Sequence, residues 1–140
     1  DGISLSKEAF EIMKTIMKFN YQNIYLIDRV QIHTNYVKLI LNSIFDFFIK
    51  YDLMARDSNT NIIDEISKDK DQFPHAINGF IHWLEKYSVM NGAKRDSLYQ
   101  NKVIYDFIND DKAIIKSILD YLSGMSDAYI IQIFNELISF

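Results

Sequence analysis

Helix-breaking residues are scarce in this chain, and that scarcity limits its possible folds more than any other feature. The 140 residues include four glycines and one proline. Apolar side chains recur every three or four residues over nearly the whole length. That period places them on one face of an α-helix, and no useful stretch alternates as a half-buried strand does. The sequence therefore predicts an all-α fold, a bundle of five to six helices forming one helical domain over residues 1–140.

The longest pattern predicts a central helix from about Asp28 to Asp52. Four polar residues recur there at every fourth position and form one stripe, while apolar residues occupy most of the remaining circumference. The stripe consists of Lys38, Asn42, Asp46 and Lys50. Because apolar residues surround most of the helix, we interpret it as packed on several sides. The polar residues interrupt the apolar run well before the roughly 18 residues that a membrane-spanning segment needs. No membrane association is expected.

Local signals predict the other elements of the first half. Ser6 is a suitable N-cap for a first helix, which a tyrosine-rich linker over residues 20–28 should follow. A polar connection over residues 54–73 should hold a short helix that starts near Thr60. The acidic pair Asp64-Glu65 within that helix is expected to be solvated.

The second half divides in a similar way. Pro74 suits the first turn of a helix, and the sequence NGAKRDS over residues 91–97 is the strongest break signal. The helical pattern resumes at Val103 and pauses at Asp110-Asp111, where acidic residues can satisfy free N–H groups at a helix start. The apolar stripe after Pro74 consists of Ile77, Phe80, Ile81, Leu84 and Tyr87.

Charge and composition exclude several classes of function. The formal net charge is -4, and the basic residues are dispersed, which argues against a nucleic-acid patch and against a polybasic membrane surface. The absence of cysteine excludes disulfides and thiolate metal sites and fits a reducing compartment, the cytoplasm. The chain begins with Asp1 and not with Met, which we interpret as a sign of a processed piece or of residues added for expression.

Few residues suggest chemistry. None of the three histidines, His33, His75 and His82, is followed by Asp or belongs to an H-E-x-x-H motif, so no metal ligand set and no self-contained catalytic site are predicted. Arg29 and His33 lie one helical turn apart and can project together toward an anion such as a phosphate. A solvated first turn is the ordinary alternative for this pair.

A Gly-Met-Ser-Asp turn interrupts the last apolar stretch. Gly124 is expected to end one helix in a left-handed conformation, and Ser126 to cap the next helix. Asp127 would then face the positive end of the helix dipole, and Met125 would pack between the two helices.

The longer string around this turn, ILDYLSGMSDAYIIQIFNEL, resembles the C-terminal signature of the deoxyguanosine triphosphate triphosphohydrolases. A looser similarity covers NIYLIDRVQIHTNYVKLILNSIFDFF over residues 23–48. The chain departs from the family pattern at Ala128, where a basic residue is common, and at Ile130, where a small one is common. The matching residues are Asp120, Tyr121, Gly124, Met125, Asp127 and Tyr129, with Ser126 in the place of a threonine.

This resemblance implies the C-terminal helical region of an HD-domain enzyme that hydrolyses a deoxynucleoside triphosphate to deoxynucleoside and tripolyphosphate. In that family a divalent metal, Mg²⁺ or Mn²⁺, is held by a His, a His-Asp pair and a distant Asp. The chain contains no His-Asp dipeptide, so the chain itself is expected to bind no cofactor and to be inactive alone. Its expected partners are its own HD core before Asp1, further copies in a homo-oligomer, and the dNTP substrate. Arg29 and His33 become candidates for contact with substrate phosphate or sugar, and the turn residues are assigned to the fold.

A second interpretation needs no enzyme. The chain would then be a stand-alone acidic helical module that binds a protein partner or dimerises. Ile12 and Trp83 lie off the apolar stripes and would be exposed in a minimal bundle. An absent HD core that packs on them would explain them equally well.

Overall fold

The structure, a computed structural model, describes residues 4–58, 61–89, 98–107 and 109–139. Over these ranges the chain is all-α, as predicted, with one isolated bridge between Ser88 and Tyr105 and no strand. The helices are α1 (Lys7–Asn20), a π-helix (Tyr21–Tyr25), α2 (Asp28–Ser58), α3 (Ile62–Ser67), α4 (Pro74–Tyr87), α5 (Ala113–Ser123) and α6 (Asp127–Ile138). No helix in the described part combines the length and apolar character needed to cross a membrane.

The chain divides into two compact units, Asp1–Leu39 and Ile40–Phe140. In the first unit Ser6 caps α1 as predicted, its Oγ accepting the N–H of Ala9 at 3.2 Å. The prediction of a linker over residues 20–28 is wrong for most of its length, because α1 passes directly into the π-helix before α2 begins. That stretch holds no glycine or proline, so nothing in it forces the backbone out of a helical path. None of residues 4–39 is buried.

The second unit contains the hydrophobic core. Aromatic rings lie at its centre: the Phe48 and Phe80 centroids are 4.5 Å apart, and Tyr121 lies 5.2 Å from Phe80. The stripe predicted after Pro74 supplies three fully buried residues, Ile77, Phe80 and Leu84. The other fully buried large residues are Ile44, Phe48, Tyr51, Ile66, Ile118 and Ile133.

Two predicted boundaries are wrong. Helix α2 continues beyond Asp52 to Ser58, and a salt bridge between Arg56 Nε and Asp52 Oδ2 at 2.9 Å supports its last turns. The helix expected to resume at Val103 does not form, and α5 begins only at Ala113. Tertiary pairing prevails there, because Tyr105 is buried and donates its backbone N–H to the carbonyl of Tyr87 at 3.1 Å.

The prediction that both Asp64 and Glu65 of α3 are solvated is wrong for Glu65. Asp64 is exposed, but Glu65 retains only 2% of its surface and bonds to the Lys68 ammonium at 2.7 Å. A buried carboxylate needs such a cationic partner to offset its lost hydration. The N-cap of α3 is Asn61, whereas Thr60 and the break predicted over residues 91–97 lie outside the described residues.

Candidate functional site

The turn between α5 and α6 carries the family-like residues, and its capping follows the prediction. Ser126 is the N-cap of α6, and its Oγ accepts the N–H of Tyr129 at 3.3 Å. Asp127 opens the first turn, where a carboxylate complements the partial positive charge of the free N–H groups. Met125 is half-buried against the core, in the position expected of it.

Gly124 does not adopt the predicted left-handed conformation. Its φ is -88° and its ψ is -4°, so α5 ends in a tightened right-handed turn. The N–H of Gly124 donates to the carbonyls of Asp120 at 3.1 Å and Tyr121 at 3.2 Å. A Cβ at this position would lie 3.4 Å from the Asp120 oxygen, close to ordinary contact. The backbone therefore does not require glycine here for its torsion angles.

Two tyrosines of the turn form a hydroxyl pair against α4. The Tyr121 and Tyr129 hydroxyls are 3.0 Å apart, and Tyr129 also donates to the His75 carbonyl at 3.4 Å. The pKa of Tyr121 is raised, mainly by burial and to a smaller extent by the hydrogen bond to Tyr129. Both hydroxyls occupy the space that a side chain at Gly79 would need. A glycine within a helical pattern often has such a packing reason, so Gly79 is the sequence signal for this contact.

Asp120, the first residue of the signature, holds the non-helical segment before α5. Its Oδ2 accepts the Tyr105 hydroxyl at 2.9 Å. Burial, together with this hydrogen bond and the charge of Asp120, raises the pKa of Tyr105 to about 12. Asp120 therefore acts as a hydrogen-bond acceptor for the segment before α5.

Glu136 completes the N-terminus of α4, a role that the sequence did not suggest. Its carboxylate accepts the N–H of His75 at 3.0 Å and that of Ala76 at 2.8 Å, and its Oε1 lies 3.0 Å from the His75 Nδ1. Burial alone would raise the pKa of Glu136, but these donors together hold it below its usual range. The sequence signal for this role is electrostatic. A carboxylate in the last turn of α6 is unfavourable with the helix dipole, which suggests that it is stabilised by a contact elsewhere.

Arg29 and His33 lie one turn apart at the start of α2, as expected, and both are exposed. Within the described residues neither side chain is held by a hydrogen bond or an ion pair. Both belong to the Asp1–Leu39 unit, whereas the turn residues belong to the other. The anion-binding role of the pair therefore remains a prediction.

The histidines do not form a metal centre. His75 is engaged by Glu136, and the Nδ1 of His82 lies 3.2 Å from the Tyr99 hydroxyl. Across residues 4–58, 61–89, 98–107 and 109–139, no group of three or more His, Cys, Asp or Glu side chains could hold a metal ion. The ligand set that the resemblance implies for Mg²⁺ or Mn²⁺ is therefore not provided by the described residues.

Comparison with known protein families, with curated proteins and with solved structures finds no match in any of the three. The similarity to the triphosphohydrolase signature therefore depends on the quoted residues alone.

Proposed function

We propose that this chain is the C-terminal helical region of a cytoplasmic enzyme similar to the deoxyguanosine triphosphate triphosphohydrolases. There it supports an HD catalytic core and makes contacts between subunits. The observation that carries the proposal is the α5–α6 turn, because its defining contacts come from the residues that resemble the family signature. Ser126 caps α6, Tyr121 pairs with Tyr129, and Asp120 holds Tyr105.

In this proposal the chain contributes no metal ligand. The divalent metal would be held by the preceding HD core, and the described residues here supply scaffold and surface. Arg29 and His33 are the side chains proposed to reach substrate phosphate or sugar, since a guanidinium and an imidazole at this spacing can bind one anion together.

The test uses the full-length protein with its upstream region. We expect it to release tripolyphosphate and deoxynucleoside from at least one dNTP in the presence of Mg²⁺ or Mn²⁺, as measured by chromatography of the products. The 140-residue chain alone should release neither. An upstream region without His, His-Asp and Asp ligands, or a full-length protein inactive on every dNTP, would rule the proposal out.

The substrate-contact residues can be tested in the same assay. Arg29→Ala and His33→Ala should raise KM while helical content stays unchanged by circular dichroism. Lys38→Ala, an exposed cation further along the same helix, is the matched control and should leave KM unaltered. Equal changes in KM for all three variants would show that Arg29 and His33 do not contact the substrate.

A second candidate is a stand-alone helical module that binds a protein partner or dimerises. It is favoured by residues 4–39, which expose apolar side chains and bury none. Of the two residues expected to be exposed, Ile12 is 62% exposed, while Trp83 is half-buried against the core, its ring 4.3 Å from that of Tyr87. A parent protein that has no upstream catalytic domain, together with a cooperative thermal transition of the isolated chain, would favour this candidate.

A further inference from the structure

Half of the α1 circumference is apolar and exposed. Six large side chains project from it with between 37% and 62% of their surface accessible. Glu11, Lys14 and Lys18 lie on the opposite side, so the helix is strongly amphipathic. We call the six residues the α1 apolar face: Phe10, Ile12, Met13, Ile16, Met17 and Phe19.

The apolar area of this face lies at the upper end of what an ordinary monomer exposes. With roughly 200 Å² for a fully exposed large side chain, the six residues present on the order of 600 Å² of apolar surface. The largest apolar patch of an ordinary monomer is about 300–600 Å², and a stable interface buries about 800 Å² on each partner. The adjoining π-helix exposes Tyr21, Ile24 and Tyr25 as well, at 59%, 47% and 57%. Added together, the exposed apolar side chains of α1 and the π-helix have about the area that each partner of a stable dimer buries.

The charges of this unit favour protein as the occupant. Residues 4–39 carry five basic side chains and three acidic ones, and both signs occur on the polar side of α1, where Glu8 and Glu11 lie among three lysines. An anionic bilayer or a nucleic acid is recognised by a concentrated positive field, which a mixed surface of this kind does not produce. Interfaces between identical subunits are the most apolar class of protein contact, and a face this rich in Phe, Ile and Met matches them.

We propose that the α1 apolar face binds the same face of a second copy of this chain, giving an isologous dimer. A two-fold contact uses one patch twice, so each copy covers the other's exposed side chains. This inference rests on the proposed function, which includes contacts between subunits. It adds the surface through which those contacts are made. Its tests measure the molecular mass of the chain and the closeness of two copies, not dNTP hydrolysis. The dimer can therefore fail while the enzymatic proposal stands, and the reverse also holds.

The first experiment measures the mass of the 140-residue chain by light scattering and sedimentation over a range of concentrations. We expect a dimer, and a monomer for the variant Ile12→Glu/Ile16→Glu, which places two charges on the face. Lys18→Glu changes the net charge by the same amount on the opposite side of α1 and should remain dimeric. Circular dichroism checks that both variants keep their helical content.

The second experiment uses the absence of cysteine in the chain. Ile16→Cys places a single thiol on the face, and Lys18→Cys places one on the opposite side. A short bis-maleimide should link two copies of Ile16→Cys and leave Lys18→Cys largely unlinked. A monomer at all concentrations, an oligomer that persists in Ile12→Glu/Ile16→Glu, or equal linking of both cysteines would overturn the proposal. Binding to vesicles of mixed neutral and anionic lipid by a chain that stays monomeric would overturn it in favour of a membrane surface.

Discussion

The Glu136 carboxylate accepts the backbone N–H of His75 at 3.0 Å and thereby joins the end of α6 to the start of α4. Pro74 has no N–H, Ala76 donates to the same carboxylate, and Ile77 donates to the carbonyl of Phe73. The first-turn donors of α4 are therefore all satisfied, although its N-cap residue, Phe73, provides no side-chain acceptor.

Removal of this carboxylate should destabilise the fold. We expect Glu136→Ala to lower the free energy of unfolding by about 1–2 kcal/mol, the usual cost of losing an N-terminal cap. Chemical denaturation followed by circular dichroism measures the change. Glu85→Ala is the control, since that carboxylate is half-exposed and lies 3.9 Å from the His82 ring. Equal losses in the two variants would show that Glu136 does not act as a cap.

The same carboxylate should give the fold an acid-sensitive contribution. Because the folded-state pKa of Glu136 is lowered, its stabilisation is present above the unfolded-state pKa of about 4.3 and is lost as pH falls through the folded value. The difference in unfolding free energy between the unmodified chain and Glu136→Gln should therefore shrink between pH 7 and pH 3. A difference that stays constant over this range would contradict a charged acceptor at the start of α4.

Contacts that depend on short-range sequence were predictable. Ser6 and Ser126 cap the helices expected of them, and Pro74 occupies the first turn of α4, because each of these preferences involves backbone groups within a few residues. The apolar period likewise identified Ile77, Phe80 and Leu84 as core. Local backbone chemistry and helical period therefore predicted these helix starts and this part of the core.

Contacts between distant segments were not predictable from the same signals. Glu136 is separated from Ala76 by sixty positions, and only the folded chain brings them together. Tyr105 lies in a stretch with helical apolar spacing, yet its pairing beside Ser88 and its bond to Asp120 hold it in a non-helical segment. Propensity is a weak signal, and tertiary contacts override it at such places.

The cap of α6 can be tested against a nearby serine. Ser126→Ala should lower the unfolding free energy by about 1 kcal/mol, because the Tyr129 N–H loses its acceptor. Ser123→Ala is the matched control: its Oγ donates to the Asp120 carbonyl of its own helix, at 2.9 Å, and caps no N–H group at a helix start, so the effect should be smaller. Thermal or chemical unfolding measures both. If Ser123→Ala were the more damaging variant, the capping role of Ser126 would be wrong.

Alkaline pH should destabilise the chain through its buried tyrosines. Burial and the Asp120 contact raise the pKa of Tyr105 to about 12, so its contribution is fully present below the unfolded-state pKa of about 10 and is lost as pH rises toward the folded value. The unfolding free energy should fall between pH 9 and pH 11, and Tyr105→Phe should reduce that slope. Denaturation at each pH, with phenolate absorbance recorded in parallel, measures it. An unchanged slope would show that Tyr105 ionises equally in both states.

Gly79 and Gly124 should differ in how much stability they lose on substitution by alanine. Alanine normally stabilises a helix interior by about 1 kcal/mol over glycine, but a Cβ at Gly79 meets the hydroxyls of both Tyr121 and Tyr129. We expect Gly79→Ala to cost about 1–3 kcal/mol, the usual range for overpacking. Gly124→Ala should stay within about 1 kcal/mol, since the Gly124 backbone is right-handed and its Cβ has room. Chemical unfolding measures the stability of both variants and of the double variant Gly79→Ala/Tyr129→Phe. Because the double variant lacks one of the two hydroxyls, it should recover part of the unfolding free energy that Gly79→Ala loses. No recovery in that double variant would mean that the tyrosine pair is not what excludes a side chain at Gly79.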